Sequence, residues 1–149
     1  MQRIRRCGLP LLMILGVIDS ASALDSRDSE QTRIAIATLA EALSTPGVDL
    51  ARWYDPREDA TWEPVTGAVT ELRRCVTRLD LDSPSSMMSE FHFWWSHVSR
   101  IQQHGRAVVV QDERMHQFRF RTAAQARRAA RAMNRLRLAC AGHDANWAA

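Results

Sequence analysis

The amino-acid sequence predicts an α+β domain: an N-terminal helix, a small antiparallel sheet and a long C-terminal helix packed on that sheet. Three observations predict it. "RAVVVQD" and "HQFRFR" read as two short strands joined by the turn "DERM", with Phe118 and Phe120 on one face and Arg119 and Arg121 on the other. "TAAQARRAARAMNRLRLACAG" then has helical periodicity, a Thr122-x-x-Gln125 capping box and a stop before Gly142. Near the other end, "SEQTRIAIATLAEALSTPG" sets Ile36, Leu39, Ala40 and Leu43 at helical spacing, with Pro46-Gly47 as its stop. The alternative is a mostly α fold with one β-hairpin.

The chain opens with Arg3, Arg5 and Arg6, an apolar run from Gly8 to Ile18, and the small residues Ala21-Ser22-Ala23. This three-part pattern is that of a secretory signal peptide over residues 1–23. Its apolar run is shorter than the roughly 20 residues that span a bilayer, and no second run suggests a transmembrane span after cleavage. Residues 24–149 are expected to form a single domain, exported by a bacterium to the periplasm or secreted.

Along that domain, residues 24–28 read as a polar leader and the first helix starts at Ser29. Loop 46–64, "PGVDLARWYDPREDATWEP", combines three Pro with the rings Trp53, Tyr54 and Trp62 and the acids Asp55, Glu58, Asp59 and Glu63. A loop of this length is often functional when ordered, or else a surface loop pinned by Trp53 and Trp62. From Val65, helix spacing (Val65, Val69, Leu72, Val76, Leu79) competes with strand alternation, and a strand from about Arg74 to Leu81 is the favoured reading. "DSPSS" reads as a loop. For 84–104 a helix competes with a strand over Glu90–Trp95. The strand is preferred for its Phe, Trp, Ser and His content; it puts Phe91, Phe93 and Trp95 inward and His92 and Trp94 outward. The closing helix, 122–141, gathers Ala126, Ala129, Ala130, Met133, Leu136 and Cys140 on one stripe and Arg127, Arg128, Arg131 and Arg135 opposite. The tail "HDANWAA" is expected to be loose.

"WSHVSRIQQHGRAVVV" and "HQFRFRTAAQARRAARAMNRL" together resemble the end of a pleckstrin-homology-like domain, in which strands and a hairpin lead into a closing helix. The resemblance covers about a third of the chain. It implies an arrangement of elements and no ligand site.

Past the leader two cysteines remain, Cys75 and Cys140, and an even count in an oxidising compartment implies one disulfide. Closing a loop of that length would stabilise the fold by about 4 kcal/mol at most. Charge is divided sharply: residues 24–99 carry 7 Arg against 13 acids, residues 100–149 carry 10 Arg against 3. The division marks either an anionic partner or two halves that neutralise each other.

No catalytic residues are assigned, because no nucleophile elbow is present. His92 and His97 are too poorly spaced to chelate together, so no metal and no cofactor are expected. These readings converge on a non-enzymatic interaction or accessory module, of inhibitor, immunity or envelope-assembly type, that binds another protein. The candidate contacts are Arg119, Arg121, Arg127, Arg128, Arg131 and Arg135, with Trp53, Tyr54 and Trp62, since Trp, Tyr and Arg dominate interface hot spots. The alternatives are a small envelope enzyme, hydrolase-like, using Asp55, Glu58 or Asp59, and a module whose Arg face binds an anion or lipid headgroup. Nucleic acid is not an expected partner of an exported protein.

Overall fold

A computed structural model describes residues 19–82 and 89–142, with side chains from Ser29 onward. Helix α1 spans Asp19–Ser44. No Pro or Gly interrupts that stretch, so the helix continues through residues 24–28, expected to be a polar leader; most of the expected signal peptide lies outside the described residues. Its Leu39 and Leu43 are fully buried, together with Ala35 and Ala42, one helical face directed at the core. The chain then turns at Gly47, whose φ of 87° only glycine adopts freely; a β-carbon there would also meet the Arg121 side chain at 3.0 Å.

Seven strands follow: β1 (Asp49–Ala51), β2 (Glu63–Glu71), β3 (Val76–Leu81), β4 (Glu90–Trp94), β5 (Arg100–His104), β6 (Ala107–Gln111) and β7 (Met115–Arg119). They form one antiparallel sheet in the order β4-β3-β2-β1-β7-β6-β5. The chain therefore makes two meanders, β1 to β4 and β5 to β7, stitched where β1 lies against β7. The closing helix α2 spans Ala123–Ala139 and begins with the expected capping box: Thr122 Oγ1 accepts from the Gln125 N–H and Gln125 Oε1 accepts from the Thr122 N–H. It packs on β5, β6 and α1, while α1 also lies on β2.

The core sits between the curved sheet and these helices. Phe93 and Phe118 fill it from β4 and β7, Trp95 and Phe120 from just past the ends of those strands, and Ala126, Ala129, Met133 and Leu136 meet them from α2. Trp95 keeps its indole N–H satisfied by donating to Thr77 Oγ1 at 2.8 Å, the arrangement a buried indole needs. Cys75 and Cys140 form the expected disulfide, with Cα atoms 5.7 Å apart, clamping the end of α2 to the turn before β3.

Three expectations change. Loop 46–64 contains β1 and the start of β2, so the irregular part is only 52–62. Where helix and strand spacing competed from Val65, the chain forms two strands rather than the single one favoured from about Arg74, and the period of β2 is hidden by a register shift between Val65 and Gly67. A bulge adds one residue, which turns Val65 inward (4% exposed) and Val69 outward (49% exposed) despite their spacing. Trp53 does not pin its loop: φ is 55° there and the ring is 52% exposed. At β4 the strand reading holds, with Phe93 buried, His92 exposed and Trp94 partly exposed. The loop expected at "DSPSS" after Asp82, and the tail from His143, lie outside the described residues.

Candidate functional site

Two surfaces concentrate the expected contact residues. The first is built on the β1–β2 connection. Because β1 and β2 pair Leu50 with Glu63, Arg52, just past the end of β1, comes beside Glu63 at the mouth of the loop. Their ion pair is bidentate: Arg52 Nε and Nη2 reach the two Glu63 oxygens at 2.5 and 2.6 Å, with side chains 9% and 7% exposed. The Arg52 guanidinium also lies over the rings of Trp53 and Phe91, and Arg114 approaches the Trp53 ring at 5.4 Å. Trp53 is thereby held out towards solvent by two cations. Tyr54 is fixed through its backbone, whose N–H donates to the Met115 carbonyl at 2.6 Å.

Beneath this rim lies His116, 2% exposed and packed between Phe91 and Phe93. Its Nδ1 accepts from the Trp53 N–H at 3.4 Å, so the neutral ring carries its proton on Nε2, which faces Asp112 Oδ1 at 3.3 Å. Burial lowers the imidazole pKa below 6.5; the Asp112 carboxylate opposes this, and Arg114 and Arg52 reinforce it. A lowered folded value means that the unfolded chain binds the proton first. Stability should therefore be intact above about pH 6.5 and decline as pH falls from there towards the lowered folded value. Unfolding free energies measured between pH 7.5 and 5 should show this slope, and His116→Phe should flatten it. An equal slope in both proteins would show that His116 is not its source.

The second surface is a groove between α1 and α2, about 490 Å³ in volume and lined by Gln31, Ile34, Ala35 and Thr38 opposite Arg128, Arg131, Ala132 and Arg135. Ile34 is 58% exposed at its edge. The expected separation on α2 is present: Ala126, Ala129, Met133, Leu136 and Cys140 are buried and Arg127, Arg128 and Arg131 exposed, while Arg135 is partly buried. Among the described residues, the exposed arginines of α2 take no part in neutralising the acidic half of the chain. Of the ion pairs among the described residues, Asp49–Arg119 joins the two halves, whereas Arg52–Glu63, Arg74–Glu71 and Arg78–Asp80 lie within the acidic half. Arg127, Arg128 and Arg131 have no acidic partner among the described residues.

The other expected residues fall between these surfaces. Arg119 bonds Asp49 at 2.9 Å and lies 4.2 Å over the Trp62 ring, so both are engaged on the sheet and stand apart from the α2 arginines. Arg121 covers Gly47. Asp55, Glu58 and Asp59 do share one cavity, of about 400 Å³, with Arg52, Trp53, Tyr54 and Glu63; Asp55 Oδ1 also accepts the Arg57 N–H. Sequence reasoning missed Arg52 and Ile34, and read Glu63 as a loop acid. Only the β1–β2 register would have signalled the first and last of these.

The comparison with known proteins bears on the fold. No family model and no curated protein matches the chain. Among solved structures it is similar to the "PH domain from TgAPH", with a TM-score of 0.52 over 77% of this chain and 98% of that one, at 7% identity. The chain has a PH-like fold. As in the arrangement that the resemblance of its C-terminal third implied, the sheet of this PH-like domain is followed by a helix packed upon it. At that level of identity the likeness extends to architecture, and the PH-like domain's ligand must be read from its own side chains.

Proposed function

We propose that this protein is an exported, non-enzymatic interaction module that contacts another protein in the periplasm or outside the cell, through the groove between α1 and α2. The observation that carries this is the set of exposed arginines on α2 that no acid of the described residues neutralises, bordering a groove with Ile34 at its rim. Exposed cations without internal partners steer association and select a partner of opposite charge, and an apolar residue beside them supplies a contact that excludes water. The partner is therefore a protein presenting carboxylates around an apolar side chain. Export is supported by the leader pattern of residues 1–23 and by the Cys75–Cys140 disulfide.

The double charge reversal R128E/R131E tests the reading. Both side chains are exposed, so the unfolding free energy should stay within about 0.5 kcal/mol of wild type. Capture of the partner from envelope extract should fall by about tenfold or more, and wild-type capture should weaken with added salt. Undiminished capture by the reversed variant would reject the groove. Wild-type binding to anionic vesicles, with no protein captured, would replace the protein partner with a lipid headgroup.

A further inference from the structure

The sheet ends at β5, which pairs with β6 and with no other strand of the described residues. Alternate residues along such an edge direct their N–H and C=O groups away from the neighbouring strand, where they meet water or a strand brought by another chain. The β5 sequence RIQQH has no Pro and keeps Arg100 and His104 at its ends, so its middle, Ile101–Gln103, is not blocked against pairing. Of the two edge strands, β5 is also the one on which α2 packs.

Between β5 and α2 lies a groove of about 350 Å³, lined by Ile101 and Gln103 of the strand and by Arg127, Ala130, Arg131 and Asn134 of the helix. Ile101 and Gln103 stand opposite the buried Val110 and Val108, so they lie on the face of the sheet that α2 covers. Ile101 and Ala130, both packed against the core, give the groove an apolar floor. Arg127 and Arg131 are exposed at its rim, and no acid is among its lining residues. Arg131 also lines the α1–α2 groove, whereas Arg127 lines only this one and Arg128 only the other.

We propose that β5 and this groove together receive an extended acidic segment of another protein as an added strand. Main-chain pairing with β5 supplies an attraction that is independent of sequence, and every second side chain of the added strand falls on the α2 side. Carboxylates there meet Arg127 and Arg131, and a small apolar side chain between them covers Ile101 and Ala130. A helix in the same groove would leave the β5 edge unpaired, and an anionic headgroup would use the arginines alone. Because the site stands on β5 and Arg127, it holds or fails apart from the α1–α2 groove.

The test is a titration of the disulfide-bonded protein with a capped peptide in which Asp, Val and Asp alternate with Thr, followed by amide NMR and amide exchange. Saturable shifts over residues 100–104 and 127–134, with slowed exchange of β5 amides, are expected. The N-methylated peptide, which keeps the charges and loses its N–H groups, should bind about tenfold more weakly or worse. The same loss is expected for the original peptide on R127E, an exposed position whose change leaves the melting temperature unaltered. R128E should bind the peptide as wild type does. The inference is overturned if the peptide gives no saturable shift, if the N-methylated peptide binds equally well, or if R127E binds as wild type does. A loss from R128E equal to that from R127E would also overturn it, placing the peptide in the groove shared with α1. Self-association of the free protein through β5 that the peptide does not displace would give the edge to a second copy and overturn it too.

Discussion

Replacing Glu63 by Ala should destabilise the fold by about 3–5 kcal/mol, because it leaves the Arg52 guanidinium buried beside Phe91 with its carboxylate removed. The size of the effect follows from burial. Exposed pairs such as Arg74–Glu71 are worth less than about 1 kcal/mol, being solvated with or without each other. The Arg52 charge has no such refuge: Nε and Nη2 both lose their acceptor, and Nη1 already has none. The double substitution R52M/E63L should recover most of the loss, since exchanging a buried pair for apolar side chains of similar volume is close to neutral. Urea unfolding of the wild type, both single variants and the double variant would measure this as a cycle. Single variants that lose less than about 1 kcal/mol would show that the pair is solvated in solution.

A second large effect is expected from the disulfide. Removing it by C75S/C140S should cost about 2–4 kcal/mol, the range for a closed loop of this length, with 4 as the upper figure. The link joins the buried Cys140, which caps the C-terminal end of α2, to the turn that reverses β2 into β3. Cys75 adopts a left-handed conformation there, φ 52°. Without the link, the C-terminal turn of α2 is held only by Leu136 and its neighbours, so amide exchange should accelerate first over residues 134–141. Thermal unfolding with and without reductant supplies the measurement. Identical transitions would mean that the link constrains neither state.

Both predictions bear on how far the fold was legible in sequence. The α2 helix and the β6–β7 hairpin were readable because their signals are local: a capping box, an apolar stripe, strict alternation about Phe118. The segment around Phe93 was a near balance between helix and strand, resolved correctly by residue type. β1 and β2 were not readable. β1 has only three residues, and β2 carries Pro64, Gly67 and a bulge that converts its alternation into apparent helical spacing. Failure there propagated to the site, since Arg52 and Glu63 meet only through β1–β2 pairing. The α2 arginines, in contrast, were legible as a face. The groove they border was not, because it depends on how α1 lies across α2, a tertiary fact with no local signature.

The most direct measurement of whether that groove is a contact surface is site-specific photo-crosslinking in the native envelope. A photoreactive residue placed at Arg131, on the groove, is compared with one at Arg78, on the outward face of β3. A discrete adduct with one protein from position 131, lost when R128E is added and absent from position 78, is the expected result. Equal labelling from both positions, or none from position 131 while position 78 gives a discrete adduct, would contradict the groove as the contact surface.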